Sequence, residues 1–339
     1  MRNHLLGALC ATTALCAGAA QAQTRLIVNC FWPPQHPVCQ EILPNWLAEV
    51  ERVTEGRVTG LVPPRSVAPP PEQLASVESG VIDVAVQFNG LIQNRINGPI
   101  VAMQPFVGLE NAEIMSQALW DTNRAFFPDE FDTVELLTQW VVTPGQLFSM
   151  TDTPVTTLEQ MNGLRIWTLP GPITQMATAL GAGAVATPAV QSNDVISRGV
   201  VDAHFGLGPE ALRSFQALPY TRSMTRFTQP VYSTSFSMVM NRDKWAALSP
   251  EDQAAIHSVS GAVLGRAAAA VWDRDSAEVM AMFPDQGISI VNADAALEEA
   301  LMAAAAPITA AWIERATAAG IDGQGALDFY RARLLELSQ

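Results

Sequence analysis

The chain has 339 residues, a formal net charge of −14 and 49% hydrophobic residues. This length and hydrophobic content allow a large core with room for two lobes, and they exclude a wholly disordered protein. The acidic balance argues against a nucleic-acid partner, because nucleic-acid phosphates are bound by basic patches.

Residues 1–22 form a predicted signal peptide. A weakly charged head precedes the apolar run LLGALCATTALCAGAA, and Ala20-Gln21-Ala22 fits cleavage before Gln23. A spanning helix fits less well because the run is short, and a lipoprotein anchor at Cys16 fits less well than the cleavage site. We find no other stretch long and apolar enough to cross a membrane. We therefore expect a mature chain that is exported to the periplasm and is not inserted into the membrane.

Strands and helices alternate along most of the mature chain, with Gly or Pro between them. The spacing of apolar residues predicts a strand at 24–31, a helix at 38–54, a strand from 57, a short helix closed at 80, a strand to 88, a helix at 111–127, and strands at 135–142 and 145–150. A strand-like alternation covers 228–240. One long helix is predicted from 250 to 283, and two more helices, at 296–318 and 325–337, complete the chain.

The stretch from Asn162 to Leu207 reads as strand, helix, strand, helix, strand. The carboxyl ends of parallel strands in such a unit open onto a crevice where small ligands bind. We therefore expect residues 167–170 and 204–207 to face a ligand.

Part of this unit is repeated. Residues 79–84 (SGVIDV) match residues 198–203 (RGVVDA), each with helix, Gly and then a strand with Asp at the same offset. The repeat predicts an α/β fold of two lobes built on one plan, with Phe88 and Phe205 near matching strand ends. We place 24–144 plus 234–272 in lobe I and 145–233 plus 273–339 in lobe II, with the long helix linking them.

Two cysteines follow the signal peptide, Cys30 and Cys39. Near neighbours in an oxidising compartment usually pair, so a disulfide is one expectation and two buried thiols are the other. Two cysteines without a nearby His do not suggest a metal site. No HExxH, GxSxG, phosphate-binding loop or CxxC pair occurs, and the sequence suggests no cofactor and no enzymatic activity.

Five segments in the expected order resemble the DctP-like solute-binding proteins of tripartite ATP-independent periplasmic (TRAP) transporters. They are WLAEVERVTEGRV (46–58), SGVID (79–83), TTLEQMNGLRIW (156–167), 180–202 and MVMNRDKWAAL (238–248). The resemblance implies a bilobed periplasmic binding protein whose lobes close by hinge motion on one small solute. It also implies docking of the closed form on a small and a large membrane subunit.

The chain departs from this family at the ligand site. Family members that bind organic acids carry an Arg where this chain has Trp167, and Arg165 is the nearest substitute. Aromatic residues replace the expected clamp, which suits a cation or a flat ring. The candidate ligand-binding residues are Trp167, Phe205, Phe88, Trp32, Phe31, Arg165, His204 and Asp194.

Two ligand classes follow from these residues. The first is an amine-bearing or cationic solute, or a neutral one, held by aromatic rings, with Asp194 as a possible counter-charge. The second is a monocarboxylate held by Arg165 or backbone donors. A periplasmic ligand-sensing subunit of the same fold is an alternative to transport. A secreted enzyme is disfavoured because the chain has only four His.

Overall fold

The structure is a computed structural model that describes residues 23–339. The predicted signal peptide, residues 1–22, lies outside the described residues. Within residues 23–339, eleven strands form two separate sheets. The strands are β1 Thr24–Asn29, β2 Val58–Leu61, β3 Val84–Phe88, β4 Val134–Val141, β5 Gln146–Ser149, β6 Arg165–Thr168, β7 Gly183–Ala186, β8 Ala203–Leu207, β9 Ser223–Arg226, β10 Ser235–Asn241 and β11 Ser289–Asn292.

Helices cover both sheets. In the described chain the α-helices are α1 Leu43–Val53, α2 Gln73–Glu78, α3 Ala112–Phe126, α4 Leu158–Met161, α5 Pro172–Ala179, α6 Ser192–Ser197, α7 Glu210–Ser214, α8 Arg242–Ala246, α9 Pro250–Ser258, α10 Gly261–Ala281, α11 Phe283–Gln286, α12 Ala295–Ala318 and α13 Gly323–Leu337. A π-helical turn, Val38–Ile42, leads into α1. Short 3-10 turns occupy Pro70–Glu72, Asn89–Leu91, Gly98–Met103, Ala189–Gln191 and Leu218–Tyr220.

The first sheet has the strand order β2-β1-β3-β10-β4. Strand β1 is parallel to β2 and β3, whereas β10 is antiparallel to both β3 and β4. All five residues of β3 are buried, which explains why its sequence (VAVQF) has no exposed polar face. This sheet therefore combines strands from the beginning of the chain with one strand from its later part.

The second sheet has the order β11-β9-β5-β8-β6-β7. Strand β6 is parallel to β7 and β8, so the central stretch forms the predicted parallel unit. Strand β5 is antiparallel to β8 and β9. The α/β fold of two lobes, predicted from the repeat, is the observed architecture.

Two chain segments cross between the sheets side by side, after β4 and before β10. Val142 N donates to Thr234 O at 3.0 Å, and Gly145 N donates to Tyr232 O at 2.8 Å. A side chain at Gly145 would overlap the backbone of Gly206 in β8. The crossing is therefore tightly packed and positions the two sheets relative to each other.

The predicted long helix from 250 to 283 is broken, and this part of the prediction was wrong. Helix α9 ends at Ser258, and α10 begins at Gly261, which has φ +59°. Ser260, at the break, accepts a hydrogen bond from Trp46 Nε1 at 3.1 Å. A bend of this kind is set by a tertiary contact, which helical periodicity cannot reveal. Helix α10 still contacts both lobes, through α3 and β4 on one side and α7 on the other.

The last two helices contact elements of both lobes. Helix α12 packs on α4 and α5 beside the second sheet, but Trp312 Nε1 reaches Asn97 O of the first lobe at 3.1 Å. Helix α13 packs against α3, and Arg333 pairs with Asp121 at 2.7 Å. The boundary that placed 273–339 in lobe II stays a prediction, and α13 contacts both α3 and α12. An apolar helical face indicates burial but does not identify the sheet that it covers.

The expectation that no stretch after the signal peptide could cross a membrane also needs correction. Pro250–Ala281 and Ala295–Ala318 are each long and apolar enough to cross a membrane. In their most apolar 18-residue stretches, 39% and 22% of the residues are buried, respectively. Helices in protein cores have the same length and composition, so this finding is weak evidence for a membrane span.

Candidate ligand-binding site

A narrow cavity of about 50 Å³ lies between the two sheets. Its walls come from the carboxyl ends of β1 and β3, the start of β10, the end of β8 and one face of α10. The lining residues are Phe31, Trp32, His36, Pro70, Phe88, Leu91, Val142, Leu169, Pro188, Ala189, Gly206, Leu207, Gly208, Glu210, Phe215, Thr234, Phe236 and Trp272. Carboxyl ends of parallel strands are the usual place for a small ligand in such sheets.

Aromatic rings form the wall on the side of the first sheet. The rings of Phe31 and Trp32, directly after β1, stack with centroids 3.8 Å apart. The ring centroid of Phe236 lies 5.2 Å from that of Trp32 and 5.5 Å from that of Phe88, at the end of β3. Trp272 of α10 stacks on Phe236 at 6.0 Å. This continuous set of rings presents flat apolar surfaces to the cavity.

The loop that carries Phe31 and Trp32 is fixed at both ends. Cys30 and Cys39 form a disulfide in the structure, with Cα atoms 5.7 Å apart. Two prolines follow Trp32 and restrict the backbone further. The loop therefore presents its aromatic side chains in a defined position.

His36, in the same loop, is a neutral part of the cavity wall. Its ring lies 5.8 Å from Phe215 and 5.7 Å from Trp272. Nδ1 accepts a hydrogen bond from Val38 N at 3.2 Å. Burial lowers the pKa of His36 to about 3, because a charged imidazolium would lose its hydration there.

The wall on the side of the second sheet is mostly backbone and small side chains. Gly206 in β8 has φ +107°, a conformation that favours glycine, and a Cβ there would lie 3.1 Å from Ile173. Leu207 and Gly208 continue this wall toward α7. The narrow backbone leaves the space between the sheets open for a ligand.

Glu210 is the acidic side chain that lines the cavity. It is 6% exposed, and Ser276 Oγ donates to its Oε2 at 2.7 Å. Burial raises the pKa of Glu210 to about 7, and the nearby carboxylates of Asp275 and Asp273 raise it further. A side chain at Gly208 would overlap this carboxyl group, so glycine is needed for Glu210 to fold back there.

Among the described residues that line the cavity, none is Lys or Arg. The site therefore differs from one built around a guanidinium clamp. The described residues also contain no group of three or more His, Cys, Asp or Glu that could hold a metal ion.

The cavity includes three of the aromatic residues expected from the sequence, Phe31, Trp32 and Phe88. Trp167 and His204 are fully or almost fully buried elsewhere in the second sheet. Trp167 Nε1 donates to Thr187 Oγ1 at 2.7 Å, and His204 stacks on Phe148 at 4.8 Å. These two expected ligand residues belong to the core on the other face of the second sheet from Phe205.

The remaining expected residues also lie away from the cavity lining. Phe205 stacks on Phe227, with centroids 5.7 Å apart. Arg165 pairs with Asp202 at 2.5 Å on the surface. Asp194 lies exposed in the first turn of α6, three positions after the N-cap residue Gln191.

Sequence reasoning missed several lining residues, notably His36, Glu210, Phe215, Phe236 and Trp272. Phe236 lies in the alternating stretch that predicted a strand up to Met240. Its place at the start of that strand, directly after the crossing segment, could have indicated a position at the cavity. Glu210 comes three residues after β8, just beyond the expected 204–207. Trp272 lies on a helix face, where no local pattern separates ligand contact from packing.

Comparison with known proteins supplies the family. The sequence profile of "Bacterial extracellular solute-binding protein, family 7" (DctP) matches residues 28–315. The chain belongs to this family. It is also 36% identical over 318 residues to "Outer membrane transporter protein TsaT" of Comamonas testosteroni, covering 93% of both chains. Members of this family are solute-binding proteins and not enzymes.

Solved structures agree with this assignment. A TRAP periplasmic solute-binding protein of Bordetella bronchiseptica, crystallised with (R)- and (S)-mandelate, is 32% identical with a TM-score of 0.86. A TRAP solute-binding protein of Rhodoferax ferrireducens with copurified benzoate is 25% identical with a TM-score of 0.84. Each comparison covers 93% of this chain and 99% of the other. The fold is that of the bilobed TRAP solute receptors.

Proposed function

We propose that this DctP-family chain captures a small aromatic monocarboxylate in the periplasm and delivers it to the membrane subunits of a TRAP transporter. The observation that carries the ligand class is the ring-lined cavity between the sheets. Phe31, Trp32, Phe88 and Phe236 form a surface that complements a flat ring. Relatives with 32% and 25% identity hold mandelate and benzoate.

The carboxylate of such a ligand would be held without an arginine. The donors available in the cavity wall are backbone N–H groups of the β8–α7 segment and the hydroxyl group of Thr234. Backbone N–H groups bind carboxylates well in a site that excludes water. This arrangement supports a monocarboxylate over a dicarboxylate, whose second charge would have no basic partner in the lining.

A specific observation also favours a second ligand class. Glu210 lies in an aromatic cavity, and a buried carboxylate with rings around it is a recognised setting for a cation. A protonated arylalkylamine such as benzylamine is therefore the alternative ligand, in agreement with the preference drawn from the sequence. The two classes differ in charge and can be separated directly.

The test is a thermal-shift and calorimetric comparison of benzoate, mandelate, benzylamine and cyclohexanecarboxylate on the mature protein. A ligand present at 100 times its Kd stabilises the folded state by about 2.7 kcal/mol. We expect stabilisation by benzoate and mandelate, weaker binding of cyclohexanecarboxylate because its ring is not flat, and no effect of benzylamine. Stabilisation by benzylamine alone would reject the aromatic-acid proposal in favour of the amine.

Export and delivery have their own measurements. Mass spectrometry of protein purified from the periplasm should give a mature chain beginning at Gln23, as the predicted cleavage site requires. Co-purification with TRAP membrane subunits in the presence of ligand tests delivery. Co-purification with a signalling protein instead would support the ligand-sensing alternative.

A further inference from the structure

Glu210 combines three features that the proposed function leaves unused. Its carboxyl group lines the ligand cavity, it is 6% exposed, and no basic side chain lines the same cavity in the described chain. One of its oxygens, Oε2, is occupied by Ser276 Oγ at 2.7 Å. The backbone N–H of Glu210 itself also hydrogen-bonds to this carboxyl group, and Ser276 is the one side chain among the described residues that does so.

A buried carboxyl group without a cation is more stable in its acid form. The acid form has an O–H that can donate a hydrogen bond, whereas the carboxylate can only accept. An aromatic monocarboxylate placed against the rings of the cavity is an anion and needs a donor. A carboxyl–carboxylate hydrogen bond is charge-assisted and is among the stronger types.

We propose that Glu210, in its acid form, donates a hydrogen bond to the carboxylate of the bound solute and so takes the place of the missing basic clamp. The inference rests on the proposed function, because it assumes an acidic ligand. It makes binding of an organic anion dependent on one proton held by the protein. Raising the pH would remove that proton and place two carboxylates in contact.

The charged groups around Glu210 favour its acid form. On α10, Asp273 and Asp275 add negative charge, and Asp275 is partly neutralised by Arg213 at 3.1 Å and Arg274 at 2.9 Å. From the loop after β1, His36 contributes a neutral ring to the same cavity. The pKa of Glu210, raised to about 7 by burial, lies where a change of pH alters its protonation.

The experiment is calorimetric titration of benzoate into the full mature protein from pH 6 to pH 9. Benzoate stays ionised throughout, so a change in affinity reports on the protein. If only the acid form binds, the affinity falls roughly 50-fold between pH 7 and pH 9. Glu210→Gln supplies a permanent N–H donor, so its profile should be flat and it should bind benzoate more tightly than the wild type at pH 9.

Two further variants make the result specific. Glu299→Gln changes an exposed glutamate outside the cavity and should follow the wild-type profile. Ser276→Ala removes a hydrogen bond that favours the carboxylate form, so the decline in affinity should move to higher pH. This variant tests the inference even if Glu210→Gln does not fold.

The outcomes separate the two proposals. Tight benzoate binding that does not vary with pH overturns the role of Glu210 and leaves the proposed function intact. Absence of benzoate and mandelate binding at every pH overturns the proposed ligand class and the inference with it. Binding of benzylamine that strengthens as pH rises overturns both, because Glu210 would then act as a carboxylate counter-charge.

Discussion

Arg165 and Asp202 form a two-point ion pair, with Nε 2.8 Å from Oδ2 and Nη2 2.5 Å from Oδ1. Arg165 begins β6 and Asp202 directly precedes β8, so the pair lies at the amino ends of these parallel strands. The ligand cavity lies at the opposite, carboxyl edge of the sheet. The pair therefore joins two strands and does not face the solute.

Substitution of Arg165 should leave ligand binding unchanged. We expect Arg165→Ala to bind benzoate within about twofold of the wild type, because an exposed ion pair contributes little and this one lies far from the cavity. Calorimetric titration checks the affinity, and a thermal melt confirms folding. A tenfold loss of affinity would restore Arg165 as a ligand residue.

Removal of the Phe31 ring should weaken binding strongly. Phe31 is partly buried, stacks on Trp32 at 3.8 Å and lines the cavity. Loss of its aromatic contact corresponds to about 1–3 kcal/mol, or roughly 5-fold to 150-fold in Kd. Phe126→Ala is the matched control, because Phe126 is also partly buried and pairs with Phe329 at 5.5 Å away from the cavity. Equal losses for both variants would show that the effect is one of stability.

Reduction of the disulfide should affect both stability and affinity. The bond closes a short loop, because Cys30 and Cys39 are nine positions apart, so its loss should cost about 2–3 kcal/mol of unfolding free energy. The same loop carries Phe31, Trp32 and His36, so we expect weaker benzoate binding after treatment with a reductant. Cys30→Ser/Cys39→Ser should reproduce both effects and no longer respond to the reductant. Unchanged melting and affinity in the double variant would contradict this expectation.

Gly145→Ala should damage the crossing between the sheets. A Cβ at Gly145 would overlap the backbone of Gly206, which lines the cavity. We expect a loss of about 1–3 kcal/mol in urea unfolding and weaker ligand binding, because Gly206 must shift. Gly183→Ala is the control, since a Cβ there meets only Leu164 O at 3.7 Å, and it should change stability by less than about 0.5 kcal/mol. A Gly145→Ala variant with wild-type stability and affinity would show that Gly145 and Gly206 are not tightly packed.

Buried histidines should make the protein sensitive to acid. Burial lowers the pKa of His204 from 6.5 to about 3, so between these values the unfolded chain binds a proton that the folded chain does not. The free energy of unfolding is therefore unaffected by this group above pH 6.5. It decreases as the pH falls from 6.5 toward 3, by up to about 1.4 kcal/mol per pH unit for each such group. His36 behaves in the same way.

Replacement of His204 isolates this effect. His204→Phe keeps the stacking on Phe148 and removes the titrating group, so its loss of stability between pH 7.5 and pH 5 should be about 2 kcal/mol smaller than that of the wild type. Urea unfolding at both pH values measures the difference. Equal acid sensitivity of the His204→Phe variant and the wild type would reject the explanation.

Local patterns in the sequence were sufficient for the parts of the fold that depend on local rules. The repeat around Gly80 and Gly199 predicted two similar α/β lobes, and strand ends placed Phe31, Trp32 and Phe88 at the cavity. They could not decide the direction of a buried side chain such as Trp167, whose indole N–H donates to Thr187, directly after the neighbouring strand β7.

Features that depend on distant contacts lay beyond those patterns. Glu210 is placed at the cavity by Ser276, which is 66 residues away in the sequence. Trp272 reaches the cavity because α10 lies across both lobes, and the break before α10 involves Trp46 from the first helix. A sequence pattern describes each element separately and carries no information on which elements meet.

The ligand cavity has a kinetic consequence. Its lining comes from both sheets, and Trp32, Phe88, Phe236, Phe215 and Trp272 are each at most 8% exposed. These packed rings leave little space between the sheets, so we expect a solute of benzoate size to enter and leave when the sheets move apart. Escape then requires the crossing segments to open, so the residence time of different solutes should converge on one opening rate. Such a receptor would hold its cargo until an encounter, at the membrane, with a partner that separates the lobes.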